Sequence, residues 1–149
     1  ARLPTGLGAP GGAVLAGSAA ATREARRIRK RLGGGMRQIG LLAAAGLHAL
    51  DHHLGDLALD HARALRLAET VAALPSFDID LATVETNIVL FDTVPCDAAT
   101  VLTKLEARDV HMVAFGPRTI RATFHRDLSD ADVVLACDAL QAVDRALAA

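Results

Sequence analysis

An arginine in the middle of an alternating run is the residue here best suited to gripping an anion. In Thr119-Ile120-Arg121-Ala122-Thr123-Phe124, Ile120, Ala122 and Phe124 share one strand face and Thr119, Arg121 and Thr123 the other. A mid-strand guanidinium serves either a structural ion pair or a two-pronged clamp on a carboxylate, and the pattern leaves both open. A second cationic group is denser: Arg23, Arg26, Arg27, Arg29, Lys30 and Arg31, relieved only by Glu24. These positions span every face of a helix, so the run is not an amphipathic membrane stripe. It reads as a solvated or subunit-facing helix, or as a seat for an anion. Gly33-Gly34-Gly35 and Arg37 follow. Their spacing predicts a glycine turn opening a helix with an arginine in its first turn. Free backbone N–H groups, the helix dipole and a guanidinium fork together suit a phosphate or carboxylate.

Other spacings carry less. Gly6-Leu7-Gly8-Ala9-Pro10-Gly11 spells the glycine pattern of dinucleotide sites, but Pro10 interrupts it and a strand, not a helix, is expected next. The turn is better read as one that lets backbone approach closely. His48 and His52 stand four apart with Asp56 four further on, a spacing able to chelate a metal. No HExxH pattern accompanies them, His53 is expected to point elsewhere, and Gly55 interrupts the face, so a hydrated polar face is the expectation and a metal site is not. Cys96 and Cys137 are too few and too distant for a disulfide framework or a zinc site.

These residues need elements to hold them. The 149 residues are 52% apolar and 22% charged, enough for a packed core and wrong for a disordered chain. With four Phe, no Trp and no Tyr, that core must be aliphatic and alanine-rich. A net charge of −1 argues against a dedicated nucleic-acid binder. No apolar run approaches the roughly eighteen residues of a membrane span, and the Gly/Pro-rich start fails as a signal peptide. A reduced, cytoplasmic protein is expected.

Residues 1–12 read as a Gly/Pro loop and Ala13-Val14-Leu15-Ala16 as one buried strand lacking neighbours. From Ser18 to Leu74 the chain reads as helical, with Ser18 or Thr22 as cap, a stop at the glycines, a helix from Met36, a bend at Gly55 and an end at Pro75. The last helix of this stretch shows an apolar stripe through Leu57, His61, Ala64, Leu65, Ala68 and Ala72. After Pro75 the pattern becomes β-α-β-β-α: a strand in TVETNIVLFD, a helix capped by Asp97, strands flanking Gly116-Pro117, and a final helix capped by Ser129 or Asp130. The fold class expected is α/β, with an α+β small domain: long helices followed by a small sheet with helices on one face.

Taken in order, GLGAPGGAVLAGS, IRKRLGGGMRQIGLLAAAGLHAL and IRATFHRDLS resemble the C-terminal part of the low-specificity threonine aldolases. That family belongs to the pyridoxal-phosphate enzymes of the aspartate-aminotransferase fold type. The resemblance runs from about Gly6 to the final helix. It implies a cytoplasmic homo-oligomer, dimer or tetramer, that cleaves β-hydroxy-α-amino acids such as threonine or allo-threonine into glycine and an aldehyde. It further implies that residues 1–17 are a loop and last strand of an incomplete large cofactor domain. Residues 18–74 would then be a helical connection, and 75–149 a small C-terminal α/β domain.

Residue by residue, the resemblance assigns Arg121 to the substrate carboxylate, and Lys30 and Arg37 to basic positions near the cofactor phosphate and a subunit interface. Gly6 matches the turn just beyond the cofactor lysine. The lysine itself is missing: Thr5 stands where the family holds pyridoxal 5′-phosphate as a Schiff base, and the only lysines are Lys30 and Lys104. Threonine has no amine with which to form the imine. The family's cofactor-stacking histidine and the aspartate that pairs with the pyridine nitrogen cannot be placed either. The chain is therefore expected to be an incomplete active site, without activity of its own. The other reading kept open is a non-catalytic oligomerisation or anion-binding module on the same scaffold.

Overall fold

The computed structural model describes residues 3–148, apart from the Thr5 side chain, and the chain divides into two compact units, residues 1–55 and 56–149. The division also separates charge. The first unit carries eight Lys and Arg against two Asp and Glu, the second eight against fifteen.

In the first unit, α1 (Pro4–Leu7) replaces the expected open loop and is closed by Gly8 in the left-handed region. Proline at the first helical position and glycine just past the last favour this short turn. Leu3, Leu7 and Ala9 are buried with Ala49 of α3 (Gly40–His52). Gly46 admits the contact, since a Cβ there would stand 2.9 Å from Leu3 Cδ1. The strand expected at 13–16 is not formed: Ala13 makes a single bridge, and Val14 and Leu15 are 48% and 70% exposed.

The basic run forms α2 (Ala19–Arg31), whose Ser18 cap accepts from the Ala21 N–H at 3.2 Å. None of its residues is buried. The glycines then end this helix, and here the structure corrects the expectation. Gly33 adopts φ +80°, its N–H bonds the Lys30 carbonyl, and the Gly34 N–H bonds the Arg29 carbonyl at 2.8 Å. That is a Schellman cap, which consumes the carbonyls of α2 instead of freeing N–H groups for α3. Residues 37–39 form a turn, so Arg37 precedes α3 and does not sit in its first turn.

The second unit is a four-stranded antiparallel sheet in the order β1-β2-β4-β3 with helices on one face. Its strands are β1 (Phe77–Asp78), β2 (Ile88–Thr93), β3 (Val113–Ala114) and β4 (Thr119–Thr123). The helices are α4 (Asp56–Ala72), α5 (Ala98–Glu106) and α6 (Asp130–Leu147). Asp97 caps α5 as expected; of the two caps expected for α6 it is Ser129 that serves, and it closes a capping box with Asp132. Strand β1 was not expected; two residues are too few to show alternation. Val89 and Phe91 of β2, Ile120 and Ala122 of β4, and Phe77 of β1 face the helices. Alanines 64 and 68 let α4 lie close to them. The buried stripe of α4 is Asp60, Ala64, Leu67, Ala68 and Val71, one step round from the expected stripe; His61, Leu65 and Ala72 are exposed. Among the described residues no helix is long and apolar enough to cross a membrane.

Candidate active-site residues

Arg121 sits at the middle of β4, between Leu90 of β2 and Val113 of β3. Alternation turns it to the sheet face away from the helices, as its pattern requires. Asn87 fixes the end of this ladder: its side-chain amide donates to the Phe124 carbonyl at 2.6 Å, and its own carbonyl accepts from the Phe124 N–H. The Arg121 Cζ lies 5.7 Å from the centre of the Phe115 ring, a cation–π contact that orients the guanidinium. Its Nε is buried and has no hydrogen-bond partner, and no carboxylate pairs with the side chain among the described residues. The nearby acid on this face, Asp92, is engaged by the Thr119 hydroxyl at 2.6 Å. A structural ion pair, the first of the two readings open to Arg121, is therefore absent among the described residues. What remains is an oriented, unneutralised guanidinium, flanked by the exposed side chains of Leu90, Val113 and Phe115.

The other residues assigned by resemblance lie in the first unit. Lys30 folds back over the glycine turn: a Cβ at Gly35 would stand 2.8 Å from its Cδ and 3.2 Å from its Nζ. At Gly34 a Cβ would stand 2.8 Å from Arg29 Cγ. The two glycines thus make room for the stems of both cations. Arg37 is exposed and makes no side-chain hydrogen bond or ion pair among the described residues. Gly6 is buried in α1 with φ +87°. The backbone of Thr5 belongs to α1; its side chain lies outside the described residues.

Two residues escaped the pattern reading. His53 does not point away from its neighbours: its Nδ1 meets the Leu7 carbonyl at 2.8 Å, so it carries the hydrogen and ties α1 to the end of α3. Its ring also stands edge-on to His48, 5.2 Å between centres, while His48 and His52 are 4.4 Å apart. Among the described residues no three His, Cys, Asp or Glu side chains converge to hold a metal. The second residue is Asp60, buried on α4. Its spacing of four from Ala64 and seven from Leu67 was the available signal, masked by its polarity.

Residues 2–94 match the family model described as beta-eliminating lyase. The chain is 41% identical over 141 residues to the "Probable low-specificity L-threonine aldolase 2" of Arabidopsis thaliana, covering 91% of this chain and 39% of that protein. It is 36% identical over 127 residues to the low specificity L-threonine aldolase of Escherichia coli, covering 85% of this chain and 37% of that one. The chain thus spans about two fifths of the length of these curated relatives. Among solved structures, a "Putative aromatic amino acid beta-eliminating lyase/threonine aldolase" from Exiguobacterium has the same fold with a TM-score of 0.75 at 21% identity. That match covers 95% of this chain and 43% of the other.

Proposed function

Because the chain belongs to the beta-eliminating lyase and low-specificity L-threonine aldolase family of fold-type I pyridoxal-phosphate enzymes, we propose that it supplies the substrate-carboxylate clamp of a lyase. That lyase splits threonine, allo-threonine and related β-hydroxy-α-amino acids into glycine and an aldehyde. The observation that carries this reading is the buried, unpartnered Nε of Arg121 on the open sheet face. A substrate carboxylate would accept from Nε and a terminal nitrogen together, which fixes both the position and the roll of the amino acid. Phe115 lies against the guanidinium, and the exposed side chains of Leu90 and Val113 flank it on the neighbouring strands.

Pyridoxal 5′-phosphate, when bound, supplies the electron sink that carbon–carbon cleavage next to an amino group requires. The residues present fit its phosphate: Lys30, folded over the glycine turn at Gly35, and Arg37, without a competing acid among the described residues, are the groups to hold it. They do not fit covalent attachment, since Thr5 offers no amine. The chain by itself is therefore expected to release no glycine from threonine in the presence of the cofactor. A visible imine absorbance band accompanied by acetaldehyde release would overturn that expectation.

One observation favours a second reading, an anion-binding or oligomerisation module. The whole of α2 is unburied while carrying six cations and one acid. On that reading inorganic phosphate binds with an affinity that falls steeply with added salt, and the chain sediments as a discrete oligomer. A monomer without affinity for phosphate at low salt would remove it.

A further inference from the structure

Asp60 stands on the buried face of α4 with 1% exposure, and neither of its carboxylate oxygens has a hydrogen-bond partner. A buried carboxylate left without donors costs several kilocalories unless something else meets it. Among the described residues its one ion pair is with Arg63, whose Nη1 is 3.8 Å from Oδ1, beyond hydrogen-bond reach. Arg63 gives its Nε to Asp130 at 2.7 Å. Arg126, the other guanidinium at this place, gives its Nε to Asp56, also at 2.7 Å. These ion pairs cross-link α4 to the turn after β4 and to the start of α6, and both go to acids other than Asp60.

Beside Asp60 lies a cavity of about 330 Å³, lined by Asp56, Asp60, Arg63, Arg126 and Ser129 among others. Asp127, whose carboxylate stands 3.6 Å from the His125 ring, also lines it, and Asp130 pairs with Arg63, so among the described residues four carboxylates stand against two guanidiniums. Water could supply donors to Asp60 but would leave this excess of negative charge in place. A divalent ion would call for about six or more oxygen ligands, several of them charged. No group of three His, Cys, Asp or Glu side chains converges to supply them among the described residues.

We propose that this cavity binds a small monovalent cation of the ammonium, potassium or sodium class, with Asp60 as its charged ligand. The cation balances the charge of the cluster and gives both orphaned oxygens a partner. It does not depend on the reaction proposed above, since it concerns the joint between α4 and the β4–α6 turn.

Thermal unfolding of the chain in the chlorides of ammonium, potassium, sodium and choline, at equal ionic strength, tests this. At a cation concentration near ten times Kd, the Tm is expected to exceed that in choline chloride by about 4 °C for at least one small cation. The rise should saturate with concentration and disappear in Asp60→Asn. Asp60→Leu, which replaces the carboxylate by a larger apolar side chain directed at the same cavity, serves as the second variant should Asp60→Asn fail to fold. Equal Tm values in all four salts would mean that Asp60 meets only water or a proton, and would overturn the site. A cation-specific rise that survives in either variant would place the ion elsewhere and overturn it as well.

Discussion

Replacing Arg121 by alanine is expected to lower the affinity of the chain for threonine by about 10- to 100-fold, the loss of roughly 1.5–3 kcal/mol that hydrogen bonds to a charged partner contribute. Arg121→Lys should recover only part of the loss. It keeps the charge, but a point-like ammonium cannot present the paired N–H groups that match a carboxylate. Titration followed through the backbone amides of β2, β3 and β4 separates the three proteins. The same substitutions should leave the urea midpoint nearly unchanged, because Arg121 makes no ion pair among the described residues and its buried Nε is unsatisfied. A large fall in stability with unchanged affinity would make Arg121 a structural residue.

The largest effect on stability is expected from Phe91→Ala. Phe91 is 2% exposed on β2, which is hydrogen-bonded to both β1 and β4. Its ring meets Phe77 edge-on, with centres 5.5 Å apart and planes at 86°. Truncation removes the buried ring, leaves a cavity under α4 and breaks the aromatic pair, for a cost of about 3–5 kcal/mol. A domain of this size has about 5–15 kcal/mol to lose. The urea midpoint should therefore fall by about 2 M at an ordinary denaturant dependence. A fall below about 0.5 M would show that the second unit is not built on this core.

How much of this could be read from the residues depends on the range of the interactions involved. Arg121 was legible because alternation is a local property: Ile120, Ala122 and Phe124 had to go inward, so Arg121 had to go outward. The caps at Ser18, Asp97 and Ser129 were legible for the same reason, each being a contact within one turn. The glycine run was misread because a turn's φ angles decide which helix it serves. With Gly33 at φ +80° the run closes α2, and α3 waits until Gly40. The stripe of α4 was misplaced because an aspartate was assumed to face water. Asp60 faces inward, between Arg63 on its own helix and the turn that bears Arg126, and nothing in the local sequence shows that this distant turn packs beside it. His53 was missed for a similar reason, its partner being the Leu7 carbonyl.

Burial also orders the acids of the second unit. Desolvation raises the Asp60 carboxyl above the ordinary range, against the attraction of Arg63 and His125. Asp97 and Asp132 go the other way, lowered by hydrogen bonds from Thr100 and Ser129 respectively. An acid whose folded-state pKa is depressed adds stability above its unfolded pKa and loses it as pH falls through the folded value. The two caps thus weaken in strong acid, whereas Asp60, raised, favours the fold at low pH and opposes it once ionised, unless a cation meets the charge.

The direct measurement is of the Arg121 Nε–H resonance in the chain titrated with threonine and, separately, with threoninol, which keeps the amine and the hydroxyl but lacks the carboxylate. A clamp on the carboxylate predicts a saturable downfield shift with threonine, none with threoninol, and no such resonance in Arg121→Ala. An Nε–H that moves equally with both compounds, or with neither, would contradict the assignment of Arg121 to the substrate.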